Sequence, residues 1–145
     1  MKKRTLIIVI IICLVVVLLS VAGLIFFRPV PLIESPNKVV NGSEEYSKSD
    51  TVVSDVYYNG TDVTDRIDIE QFVRILSRYE CRRGSNPFPY PEADMVWKIN
   101  LIQDFSPVHI VLGKDSVRYE AANTGMYRII NPESLMDELN TLIQR

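Results

Sequence analysis

The sequence predicts an α+β domain of modest size behind one apolar helix, and three observations carry that reading. Residues 6–27 form an unbroken run of twenty-two uncharged residues. Beyond residue 51, apolar and polar residues alternate in several short stretches closed by turn signals, as half-buried strands do. Two further stretches carry apolar residues at helical spacing, each behind its own start signal.

At about 1.5 Å of rise per residue, the apolar run spans roughly 33 Å, enough to cross the hydrocarbon core of a bilayer. Lys2, Lys3 and Arg4 precede it and Arg28 alone closes it. That imbalance predicts a cytoplasmic stub over residues 1–5 and a transmembrane signal-anchor over 6–27. The product is a single-pass plasma-membrane protein with its C-terminal portion extracytoplasmic. Ser20 and Ala22 offer signal-peptidase spacing, so cleavage after Ala22 and secretion is the competing reading. Leu24, Ile25, Phe26 and Phe27 extend the apolar stretch past that cut, which favours the anchor. Cys13 follows Ile12 rather than the small residue that lipoprotein processing requires, and reads as a lipid-facing apolar side chain.

Residues 28–50 read as an extracytoplasmic tether. They carry Pro29, Pro31 and Pro36 and then a polar stretch poor in large apolar side chains. A flexible chain of that length has an end-to-end distance of roughly 25 Å, which keeps the domain close to the membrane. Asn41-Gly42-Ser43 and Asn59-Gly60-Thr61 match the N-glycosylation pattern, but both Asn-Gly pairs are expected to be turns.

The folded part is expected over residues 51–145. A strand over 52–58 runs into the Asn59-Gly60 turn. Asp68 stands as N-cap three residues before Gln71, with Ile67 and Phe72 placed as a hydrophobic staple. Ile69, Phe72, Val73 and Leu76 then give one apolar face to a helix over 69–80. Met95, Trp97, Ile99 and Leu101 alternate with Lys98 and Asn100 as a half-buried strand. A hairpin closed at 113–116 sets Leu112 against Val117, Ile110 against Tyr119 and Val108 against Ala121. A short strand over 126–130 follows. Asn131 is expected to cap a final helix that opens on Pro132 and buries Leu135, Leu139, Leu142 and Ile143. The predicted order is β-α-β-β-β-β-α, an antiparallel sheet of about four strands with two helices on one face.

The Asn-Gly strand end, the Val63-Thr64-Asp65 lead into an apolar helix, the Trp97-Lys98-Ile99-Asn100-Leu101 strand and the Tyr127-Arg128-Ile129-Ile130 strand before a closing helix form one pattern. It resembles small uncharacterised extracytoplasmic domains of Gram-positive bacterial membrane-anchored proteins and lipoproteins. The resemblance implies location and fold, and carries over no functional residues.

Setting aside Lys2, Lys3, Arg4 and Arg28 leaves twelve basic against eighteen acidic residues, a net charge of −6 for residues 29–145. Such a domain is unsuited to nucleic acid, or to an anionic membrane surface as its general partner. The single histidine, His109, and the two cysteines, expected on opposite sides of the membrane, predict no metal site and no disulfide. No cofactor motif is present, and no catalytic residues are assigned. An enzyme using Cys81 or His109 is the alternative, although His109 is expected opposite Glu120 as an ordinary cross-strand charge pair. Two features are candidates for binding. Arg74, Arg78 and Arg82 recur every fourth residue as a basic stripe if the helix reaches Arg82. Phe88 and Tyr90 alternate with prolines in a stiff loop that presents aromatic rings. The expected function is a non-catalytic binding module near the outer membrane face. It is held by lipid contact through residues 6–27 and partnered with another membrane or cell-envelope protein. An accessory subunit of a membrane complex is a further alternative.

Overall fold

The computed structural model of the protein describes residues 3–41, 45–84, 95–120 and 126–144. Helix α1 (Lys3–Phe26) comes first. Its segment Ile7–Phe26 has a mean hydropathy of 3.4 and none of it is buried. With no polar stripe, the helix has no face suited to water. By length and composition it is able to cross a membrane, as an anchor or a signal sequence.

The remainder is α+β. Strands β1 (Val30–Pro31), β2 (Val39–Asn41), β3 (Thr51–Tyr58) and β4 (Thr61–Asp62) precede a 3-10 turn (Thr64–Arg66) and helix α2 (Ile69–Arg78). Then come β5 (Glu80–Arg83), β6 (Met95–Gln103), β7 (Ser106–Gly113), β8 (Ser116–Tyr119), β9 (Met126–Ile129) and helix α3 (Pro132–Ile143). The nine strands described form one sheet in the order β1-β5-β9-β8-β7-β6-β3-β2, with β4 paired to β3. The β2–β3 pair is parallel and the others are antiparallel.

The expectation of about four antiparallel strands is therefore corrected to a larger, mixed sheet. The long strands lie where alternation places them, and the β7–β8 register pairs Leu112 with Val117 and Ile110 with Tyr119, as expected. Ala121, expected opposite Val108, lies outside the described residues. Additional strands β1, β2, β4 and β5 have two to four residues each, too few to show a period. Part of the stretch read as a tether is built into the sheet through β1 and β2. Leu32, Ile33 and Val40 from that stretch are 2%, 3% and 1% exposed.

One core lies between the sheet and the two shorter helices. Ile69, Phe72, Val73, Ile75 and Leu76 of α2 and Leu135, Leu139 and Leu142 of α3 join Val53, Val56, Trp97, Ile99, Leu101, Ile110 and Leu112 in a single cluster. Trp97 is its centre, its ring 5.2 Å from Phe72 and 4.8 Å from Tyr58. A bulge in β3 between Val53 and Asp55 explains how Val53 and Val56, three residues apart, both point inward.

Two local expectations change. Helix α2 ends at Arg78, short of residue 80, because Tyr79 is extended at φ −99° and ψ 150°. The next four residues gain sheet partners on both sides, from β1 and β9. Asn131 precedes α3 in the left-handed region, at φ 56° and ψ 55°, and its side chain makes no capping bond. The Asn59-Gly60 pair is the expected turn, with φ of 48° and 79°, joining β3 to β4. Asn41, by contrast, is the last residue of β2.

Candidate binding surface

Alternation sends Trp97, Ile99 and Leu101 of β6 into the core and turns Lys98 and Asn100 to the opposite side of the sheet. Register then assembles two rows of side chains there, polar except for Val111. Tyr57, Lys98, Val111 and Arg118 align across β3, β6, β7 and β8. Beside them Asp55, Asn100 and His109 align across three strands, and the Glu120 amide donates to the His109 carbonyl at 2.9 Å.

The second row is a hydrogen-bonded chain. The Asn100 amide nitrogen donates to Asp55 Oδ2 at 3.4 Å, which orients its oxygen toward His109 Nδ1 at 2.8 Å. An amide oxygen only accepts, so Nδ1 carries the proton and Nε2 is the ring's acceptor when His109 is neutral. The expected His109–Glu120 pair is thus corrected. Glu120 instead accepts from Arg118 Nη2 at 2.6 Å along the same strand, and His109 is taken by Asn100. Arg118 Nε is buried without a hydrogen-bond partner among the described residues.

A groove of about 650 Å³ runs over this surface, lined among others by Tyr57, Asn59, Met95, Lys98, Asn100 and Arg118. It offers Lys98, Arg118 with its ion-paired Glu120, the Asn59 and Asn100 amides and the Tyr57 ring around an apolar patch at Met95, Val96 and Val111. The set suits an elongated ligand bearing carboxylate or phosphate groups.

Of the binding candidates singled out from the sequence, none that the structure describes lines this groove. Arg74 is held by Glu70 one helical turn away, at 2.6 Å, with both side chains well exposed. Arg78 reaches across to Glu138 of α3 at 2.5 Å, so it ties the two helices together. Arg82 lies on β5 rather than on the helix, and the expected stripe is broken at its last step. Phe88 and Tyr90 lie outside the described residues.

Cys81 and His109 do not form a pair. Cys81 is fully buried in the core, with its thiol 3.8 Å from the Tyr119 hydroxyl. Burial pushes that thiol's pKa up, against a smaller lowering from the tyrosine bond. His109 belongs to the other face. No Ser, Thr or Cys among the described residues hydrogen-bonds to it, and no three metal-ligating side chains converge among them. Lys98, Asn100, Arg118 and Glu120 were legible as polar positions of alternating strands. Their convergence required a pairing order that the sequence does not state. No family model, curated protein or solved structure matches this chain.

Proposed function

We propose that this protein is a membrane-anchored, extracytoplasmic binding module. It holds an anionic segment of a membrane or cell-envelope partner in the groove between Tyr57, Lys98 and Arg118. The observation that supports this most is Arg118: its Nε is buried without an acceptor among the described residues while Nη2 is committed to Glu120. An orphaned guanidinium donor is costly unless something fills the site. Lys98 stands exposed in the same row, adding a second positive charge within the groove. Helix α1, read as an uncleaved anchor with its N-terminus inside, keeps that groove near the outer membrane face. The resemblance to extracytoplasmic domains of Gram-positive bacteria agrees with this placement.

The test uses the full-length protein in native membranes, with a photo-crosslinking residue at Tyr57. Specific adducts are expected, and Lys98→Glu is expected to remove most of them, because the exposed reversal repels an anionic partner without disturbing the core. The same crosslinker at Glu133 of α3 is the control. Adducts unchanged by the reversal, or equal from Glu133, would refute the reading.

A further inference from the structure

The net charge of −6 over residues 29–145 conceals a local reversal at one edge of the sheet. Strand β1 begins two residues after Arg28 and pairs antiparallel with β5, setting Val30 opposite Cys81 and Pro31 opposite Glu80. Arg28 lies two residues before that strand, at the end of α1, where its amide donates to the Ile25 carbonyl at 3.5 Å. The Arg83 guanidinium lies over the Phe26 ring at 4.2 Å, so this end of β5 touches the end of α1 directly. One strand further in, Arg128 of β9 is paired directly with Arg82.

Like charges placed directly opposite in a sheet repel. Arg28, Arg82, Arg83 and Arg128 are all exposed, and none is paired with a carboxylate among the described residues. Glu80, the acid on the same strand, lies two residues from Arg82, about 7 Å along the strand and away from the helix end. Nothing described neutralises the cluster, and it stands where the chain leaves its apolar helix.

We propose that this edge is a lipid-contacting face. Its four arginines bind the phosphates of anionic membrane lipids and hold the domain in one orientation on the bilayer. Guanidinium groups suit this role, because each offers a planar fork of donors to phosphate oxygens and none loses its charge near neutral pH. The apolar end of α1 fixes the depth, and the arginines then fall in the headgroup layer. This rests on the reading of α1 as an uncleaved anchor.

Residue-resolved arginine modification tests it on the full chain. The protein is placed in nanodiscs of phosphatidylcholine, or of phosphatidylcholine with phosphatidylglycerol, treated with phenylglyoxal and mapped by mass spectrometry. Near an anionic surface each such arginine is expected to react about fivefold more slowly, an effect removed by high salt. Arg66 and Arg74, remote from this edge, are expected to react equally in both discs. A third sample adds inorganic phosphate to phosphatidylcholine discs. Equal protection there would overturn the lipid assignment in favour of a free anion. Failure of the chain to enter discs at all refutes the anchor reading. Entry with unchanged labelling of the four arginines refutes this inference alone.

Discussion

Asp68 and Asn131 stand at equivalent positions before α2 and α3, yet only one caps with its side chain. Asp68 is extended, at φ −73° and ψ 99°, and its Oδ1 accepts from the Gln71 amide at 3.0 Å. Asn131 sits at φ 56°, where its side chain makes no such bond, and the helix it precedes opens on Pro132, which has no amide proton to satisfy. Asp68→Ala is therefore expected to destabilise the protein by about 1 kcal/mol. Asn131→Gly should leave the unfolding midpoint within ~0.5 kcal/mol, because glycine adopts the left-handed conformation freely. Denaturant unfolding of the full chain in detergent checks both. A larger loss from Asn131→Gly than from Asp68→Ala would contradict the geometry.

At the scale of elements, the division between expected and unexpected strands is one of length. Strands β6 and β7 have nine and eight residues, long enough for Trp97, Ile99 and Leu101 to show a period of two. Strand β2 has three residues and pairs parallel with β3, setting Val40 against Val52. Nothing local marks it, because its hydrogen-bond partners are supplied by residues eleven to thirteen positions later. The same holds for the end of α2: apolar spacing allows the helix to continue, and pairing with β1 and β9 stops it. The binding surface follows this rule too, since each polar position was readable and their grouping came from the order of strands. Val40 gives a test. If residues 28–50 were only a tether, Val40→Asp would be silent. In the sheet it places a carboxylate at a site 1% exposed, and several kcal/mol of destabilisation are expected. Thermal unfolding followed by circular dichroism distinguishes the two.

At the scale of the whole molecule, Tyr119 links parts of the chain far apart in sequence. Its hydroxyl donates to the Leu32 carbonyl at 2.6 Å and approaches the Cys81 thiol at 3.8 Å, joining β8, β5 and the stretch after β1. Burial raises the pKa of Tyr119 above the ordinary 10.0, and the neighbouring Cys81 adds to the rise. Burial likewise lifts Cys81 above its ordinary 9.0. The folded state thus keeps protons that the unfolded chain releases. Stability is fully present below pH 9 and falls as pH climbs past the unfolded values toward the raised folded ones. Denaturant midpoints measured from pH 7 to pH 11 are expected to decline above pH 9. Tyr119→Phe should flatten that decline, and an unchanged slope would mean that Tyr119 does not contribute to it.

Local spacing alone determined the apolar N-terminal helix, the α+β class, the long strands, the α2 cap and the hairpin register. Each depends on residues within one or two turns of one another. Only the tertiary structure decided that residues 28–50 contribute to the sheet and that α2 stops at Arg78. It also separated Cys81 from His109 across the two faces, and it collected arginines from β5 and β9 beside the end of α1. The physical reason is that an edge strand or a surface cluster is defined by its partners. Those partners are chosen by burial and backbone hydrogen bonding across the whole chain, and no short stretch of sequence contains them.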